Sequence, residues 1–144
     1  MLLHFGGALT RKDNTVCITG GGELRAAAIT VPADISSAAF FMAGACMSPG
    51  SEITLTGVGV NPTRTGIVRI LRAMGADITL SNERTMNSEP VADIHVRYAQ
   101  LHGINIPEEL VPLAIEEFPT IMVAAATASG RTVLRGAREL RVKE

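Results

Sequence analysis

Apolar residues are distributed along the chain in patterns that predict two different helices. Residues 35–47 carry no charge, and Ile35, Ala38, Ala39, Phe40, Phe41, Met42, Ala43, Ala45, Cys46 and Met47 surround the helical wheel. A helix apolar on all sides is expected to be buried on all sides. Asp34 stands where an N-cap belongs, Ser36 and Ser37 fall in the first turn, and Pro49-Gly50 supplies the stop. The second helix is predicted to open at Asn61-Pro62-Thr63-Arg64 and to run to Met74, closed by Gly75. It is amphipathic: Ile67, Ile70, Leu71 and Met74 share one face, with Arg69 and Arg72 off it.

Shorter β-branched runs predict strands at 8–10, 15–19, 28–31, 52–56, 77–80 and 93–96. Residues 11–14 read as the turn of a first hairpin, and 81–90 as a long polar hairpin loop. Pro32 ends the strand at 28–31. Residues 1–5, stopped by Gly6-Gly7, resemble the last turn or two of a helix. Gly20-Gly21-Gly22 is read as a loop, because the lysine and Ser/Thr of a phosphate-binding P-loop do not follow it. Residues 28–98 therefore spell β-α-β-α-β-β.

That pattern restarts. Ile29-Thr30-Val31-Pro32 returns as Ile104-Asn105-Ile106-Pro107, and Gly6-Gly7-Ala8-Leu9-Thr10 as Gly75-Ala76-Asp77-Ile78-Thr79. A second uncharged, alanine-rich helix is predicted at 120–128, followed by Gly130 and a strand at 131–135. The predicted fold class is α/β (α+β), with the tail of one such unit, one whole unit and the first half of a third. Half a unit leaves apolar faces without partners, so the chain alone is expected to be marginally stable or to self-associate.

Composition narrows the chemistry. The 144 residues, 47% apolar and 19% charged, suit one globular domain or part of one. A net charge of −1 with scattered basic residues offers no pull on nucleic acid, and four Phe, one Tyr and no Trp provide no stacking platform. Cys17 and Cys46 lack zinc-ligand companions and read as buried small residues of a reducing compartment. The apolar run at 38–47 is too short to span a bilayer, and the first residues do not read as a signal peptide. A soluble, cytoplasmic protein is expected, with no metal, no nucleic-acid partner and no membrane partner.

The final stretch, Arg138-Glu139-Leu140-Arg141-Val142-Lys143-Glu144, alternates charges and has no turn residue to end it. On its own it reads as a solvated connection or as an active-site segment cut short. Five stretches together decide between these. Pro32-Ala33-Asp34-Ile35-Ser36-Ser37-Ala38-Ala39-Phe40, Asn61-Pro62-Thr63-Arg64-Thr65-Gly66, Met74-Gly75-Ala76-Asp77-Ile78, Glu89-Pro90-Val91-Ala92-Asp93-Ile94 and Glu139-Leu140-Arg141-Val142-Lys143-Glu144 keep the order of one family. The chain resembles the 5-enolpyruvylshikimate-3-phosphate synthases (3-phosphoshikimate 1-carboxyvinyltransferases), over nearly its whole length.

The resemblance implies an inside-out barrel enzyme of two domains, each of three β-α-β-α-β-β units with helices packed inside. It implies transfer of the enolpyruvyl group of phosphoenolpyruvate to the 5-hydroxyl of shikimate 3-phosphate, with release of phosphate and no cofactor. Residues 1–33 would end the shikimate-binding domain and 34–144 would supply about half of the other. Glu116 matches the carboxylate proposed to take the hydroxyl proton. Lys143 matches a lysine near the substrate hydroxyls, and Glu144 a glutamate proposed to move a proton at the methylene carbon. Such chemistry requires a base, an acid and a cation for the leaving phosphate.

Each residue also has a plain structural reading. Glu116 and Glu117 precede Pro119 at a helix start, where carboxylates suit the helix dipole. For Glu117 that reading stands. Asp34 is either a simple N-cap or a hinge residue facing the cleft. Arg64 is assigned to the helix start, and His4, His95 and His102 to structural or surface roles. Two departures from the family pattern stand out: Glu116 replaces its usual aspartate, and Ala33 a common glycine. The Ser-Asp-Arg that follows the family's lysine-glutamate is absent, as are its other substrate-binding groups, so the chain is expected to be inactive alone. The rivals are the sister transferase acting on UDP-N-acetylglucosamine and a non-catalytic ligand-binding or assembly module of the same fold.

Overall fold

A computed structural model describes residues 2–142. Its elements are β1 (Leu9–Lys12), β2 (Thr15–Ile18), α1 (Ile35–Met47), β3 (Glu52–Gly59), α2 (Gly66–Ala73), β4 (Asp77–Met86), β5 (Glu89–Arg97) and α3 (Phe118–Thr127). Two 3-10 turns, Glu108–Leu110 and Arg138–Arg141, flank α3.

The core lies between the three helices and an antiparallel sheet of order β3-β5-β4. The central strand β5 buries Val91, Ala92, Ile94 and Val96. Helix α1 packs on β3, β5 and α3, and α2 on β4 and α3. The predicted face of α2 is confirmed, with Ile67, Ile70, Leu71 and Met74 fully buried. Asp34 caps α1 as expected: its Oδ2 accepts the Ser37 N–H at 2.9 Å and the Ser37 hydroxyl at 3.1 Å. Gly75 closes α2 with φ +97°, a backbone shape that an L side chain resists.

Several expectations change where pairing, rather than local pattern, decides. Residues 28–31 form no strand; only Ala33 makes a bridge, parallel to Val58. A strand needs a neighbour for its N–H and C=O groups, and Pro32 has no N–H to give. Residues 131–135 likewise reduce to one parallel bridge, Asn105 to Val133. The two bridges flank α1 and α3 in the same way, which bears out the repeat on a smaller scale than predicted.

The predicted loop at 81–90 is instead mostly strand. β4 and β5 continue to a two-residue turn at Asn87-Ser88, where both φ values are positive, as the twist of a tight hairpin demands. Opposed bulges interrupt the ladders between Leu55 and Val58 and between Ser81 and Arg84. Asp93 clamps both: its carboxylate accepts Gly57 N–H at 2.7 Å and Asn82 Nδ2 at 3.0 Å, with Arg84 at 3.6 Å. The Asn82 amide, with the Gly57 N–H behind it, holds the Asp93 carboxyl below the usual range. In the first hairpin the turn also shrinks, to Asp13-Asn14, with Arg11 and Lys12 joining β1. Residues 2–6 form tight turns rather than a helix.

Burial divides the chain at Asp34. No described residue before Ile35 is buried, and Val16 and Ile18 of β2 are largely exposed. Helix α1 also departs from expectation, because Phe40 and Phe41 are 68% and 64% exposed. Met122 and Val123 of α3 are also exposed, and Val123 lines one hollow with Phe40. No helix among the described residues is long and apolar enough to cross a membrane.

The cysteines separate in the same way. Cys46 is buried as expected, and loss of solvation pushes its thiol up to about 11. Cys17 is exposed on β2, against expectation: all four residues of that strand are exposed, and none of the described residues before Ile35 is buried. An aromatic disulfide reagent at pH 8 should therefore titrate one thiol per native chain quickly and the second only after unfolding. Two fast thiols would mean that α1 is not packed as described.

Candidate active site

Two local structures far apart in sequence build the site. The first is the Asn61-Pro62-Thr63-Arg64 stretch. Asn61 Oδ1 accepts Thr63 N–H at 3.1 Å and Thr63 Oγ1 at 2.9 Å, and Arg64 N–H bonds Asn61 C=O at 2.8 Å. This is an asparagine-led turn, with Pro62 fixing its second position. Arg64 thus stands before α2, which begins at Gly66, and not within a helix start as expected.

The second is a run of tight turns from Pro107 to Glu117. Leu110, Val111, Leu113, Ala114 and Glu117 each donate a backbone N–H to the carbonyl three residues earlier. Pro112 has no N–H, so the run does not settle into an α-helix. Buried Leu110, Val111, Ala114 and Phe118 anchor it to the core. Gly66 lets the run approach: a β-carbon there would lie 2.6 Å from the Leu113 carbonyl carbon and oxygen. Gly66 N–H donates to that same carbonyl at 3.2 Å.

Between the two lies an open pocket of about 270 Å³ whose walls include Thr63, Arg64, Leu113, Glu116 and Glu117. Arg64 Nη2 donates to Ser36 Oγ at 2.8 Å and lies 3.4 Å from Glu116 Oε2 and 3.7 Å from Asp34 Oδ1. Ser36 Oγ in turn donates a short hydrogen bond to Glu117 Oε1. Glu117 is only 4% exposed and stands at the N-cap position of α3, where its side chain turns to Ser36 rather than capping the helix. The Ser37 N–H holds the Asp34 carboxyl below the usual range. Partial burial opposes that, while the Ser37 hydroxyl, the Ser36 N–H and Arg64 reinforce it. Asp34 is therefore an N-cap that also faces this cluster.

The structure places Glu116 at the pocket, with its side chain 54% exposed. Lys143 and Glu144 lie outside the described residues. Arg64 and Ser36 belong to the cluster but were not expected there. Their signal was present in the two family-like stretches, yet only a fold that closes separations of 28 and 52 positions shows them meeting. The histidines stay apart from the pocket, as expected. His95 joins β5 to β3 through Thr54 at 3.0 Å and Glu52 at 3.1 Å, and His4 lies 3.1 Å from the Ala28 carbonyl.

This arrangement can hold an ionised carboxylate beside a guanidinium at the edge of a pocket open to a small polar ligand. Its chemistry is that of proton transfer and anion contact. Among the described residues, no three His, Cys, Asp or Glu side chains gather as metal ligands would.

Comparison with known proteins agrees with the geometry. Residues 1–144 match the family model of EPSP synthase (3-phosphoshikimate 1-carboxyvinyltransferase). A 3-phosphoshikimate 1-carboxyvinyltransferase of Methylococcus capsulatus is 60% identical over all of this chain and 33% of its own length. That of Alkalilimnicola ehrlichii is 62% identical, over 32% of its length. A solved EPSP synthase from Acinetobacter baumannii superposes on 99% of this chain and 32% of its own, with a TM-score of 0.95 at 53% identity. The chain thus spans about a third of the length of the relatives it matches.

Proposed function

The chain belongs to the EPSP synthase family, and we propose that it forms one wall of that family's active site. There the enolpyruvyl group of phosphoenolpyruvate passes to the 5-hydroxyl of shikimate 3-phosphate, and phosphate leaves. Glu116 takes the hydroxyl proton as the oxygen attacks. Glu144 moves the proton at the methylene carbon, and Lys143 stabilises developing negative charge beside the hydroxyls. A placed general base contributes on the order of 10²–10⁴-fold to rate.

The observation that carries this reading is convergence. Two of the family-like stretches supply Ser36 and Arg64, and the separate 107–117 run supplies Glu116, so that residues 28 and 52 positions apart meet at one pocket edge. The change in burial at Asp34 supports a domain boundary near residue 33, with 34–144 as part of the second domain. Self-association of the chain by itself is part of this reading, on the ground of exposed apolar side chains such as Phe40 and Val123 around one hollow. A cytoplasmic setting follows from the proposed pathway, the making of aromatic amino acids from soluble phosphorylated intermediates.

The test is a hybrid enzyme. The matching third of the Methylococcus relative is replaced by this sequence, and phosphate release is followed with both substrates. Turnover within about tenfold of the parent is expected, with none from the 144-residue chain alone. A folded hybrid that binds shikimate 3-phosphate without turnover would overturn the catalytic reading and favour the binding-module one.

A further inference from the structure

We propose that Arg64 is a positioning residue for Glu116, held in place by Ser36 and the buried Glu117. The inference rests on the reading of Glu116 as the base.

The chain of contacts starts from a fixed point. Glu117 is buried, its N–H bonds Ala114 C=O at 3.0 Å, and its own carbonyl accepts Ile121 N–H at 2.9 Å. Its carboxylate accepts the Ser36 hydroxyl, and Ser36 Oγ accepts Arg64 Nη2 at 2.8 Å. One Nη2 carries two hydrogens, so the second is available to Glu116 Oε2 at 3.4 Å. Asp34, at 3.7 Å from the same nitrogen, adds charge attraction without a hydrogen bond.

The other end of Arg64 is equally restrained. Its backbone is set by the asparagine-led turn, whose Asn61 side chain also donates to Glu89 Oε2 at 3.1 Å. The guanidinium therefore holds a fixed place beside the Glu116 carboxylate. Glu116 has a long side chain with three rotatable bonds and is half-exposed, so a neighbour of fixed position helps to set where its carboxylate lies. A catalytic group misplaced by about 1 Å can lose on the order of a hundredfold in rate. A fixed cation beside Glu116 limits that loss. The exposed Arg64–Glu116 pair contributes little to stability, so its effect is expected in rate rather than in folding.

The test uses the hybrid enzyme with Arg64→Ala, Arg64→Lys, Glu116→Gln and the Arg64→Ala/Glu116→Gln double variant. Arg64→Ala is expected to lower kcat by roughly 10–100-fold, with both KM values within about threefold. Arg64→Lys should recover part of the loss, since it keeps the charge without the planar fork. In the Glu116→Gln background, Arg64→Ala should cost nothing further. An unchanged kcat, or an equal loss in that background, overturns the positioning role. A raised KM for one substrate at constant kcat overturns it too, and makes Arg64 a direct substrate ligand. Full turnover by Glu116→Gln would bring down the reading of Glu116 as base, and this proposal with it. An inactive Glu116→Gln beside an unimpaired Arg64→Ala would remove only the positioning role.

Discussion

Glu116→Gln in the hybrid enzyme is expected to lower kcat by two to four orders of magnitude while hardly moving the thermal midpoint. The amide keeps the shape of the carboxylate and cannot take a proton, so the whole general-base contribution is lost. Stability should survive because Glu116 is 54% exposed and its ion pair with Arg64 lies at the protein surface. Such pairs contribute about 0–1 kcal/mol. Glu116→Asp is a softer probe. It keeps the base but withdraws the carboxylate by about 1 Å from its present position, for an expected loss of at most about a hundredfold. Phosphate release under saturating substrates, beside a melting curve for each variant, separates chemistry from folding. If Glu116→Gln lost activity only because it melted early, Glu116 would be a structural residue.

The second large effect is expected at Gly66. Its added β-carbon would lie 2.6 Å from the Leu113 carbonyl carbon and oxygen and 2.8 Å from Ala114 Cβ. The first two are backbone atoms, which cannot swing aside as a side-chain end can. Gly66→Ala must therefore push the 107–117 run away from α2, straining the Gly66–Leu113 hydrogen bond and moving Glu116 from Arg64. Overpacking of this kind costs about 1–3 kcal/mol and sometimes more. At the upper end, a chain of this size should lose roughly 10 °C in Tm.

Gly44→Ala is the internal control. Gly44 lies inside α1, and an added methyl meets nothing within 4 Å. Here the lower chain entropy of alanine acts alone, so a gain of about 0.5–1 kcal/mol is expected in the chain itself. Opposite shifts for the two glycine-to-alanine changes would confirm that contact decides between them. A neutral Gly66→Ala would mean that the 107–117 run is not docked on α2 as described.

What was legible in advance follows the range of the forces involved. The limits of α1, its Asp34 cap and the buried stripe of α2 depend on residues within one or two turns of each other, and the residue pattern carries them. The β4–β5 hairpin was underestimated because Ser81, Asn82, Glu83 and Arg84 are polar and look like loop. They stay in strand because β5 lies beside them and because Asp93 and Asn82 satisfy the bulge. The exposed ring face of Phe40 and Phe41 was missed for a related reason, since apolar composition shows what a side chain prefers and not whether a partner is present. At the site, the family resemblance points to Glu116, whereas the local pattern assigns Arg64 to a helix that begins two residues later.

The sequence by itself determined the family, the helices with their caps and apolar faces, and the residue types available for proton transfer. Those depend on local propensity and on the order of short motifs. Only the tertiary structure decided that 28–31 form no strand while Ala33 bridges Val58, that 131–135 pair through the single Asn105–Val133 bridge, and that Glu117, at its helix start, is buried and bonded to Ser36. It also decided that Arg64 reaches Ser36 and Glu116 together. These outcomes rest on contacts across 28, 52 and 81 positions. Such contacts exist only once the core has closed and Gly66 has let two backbones meet.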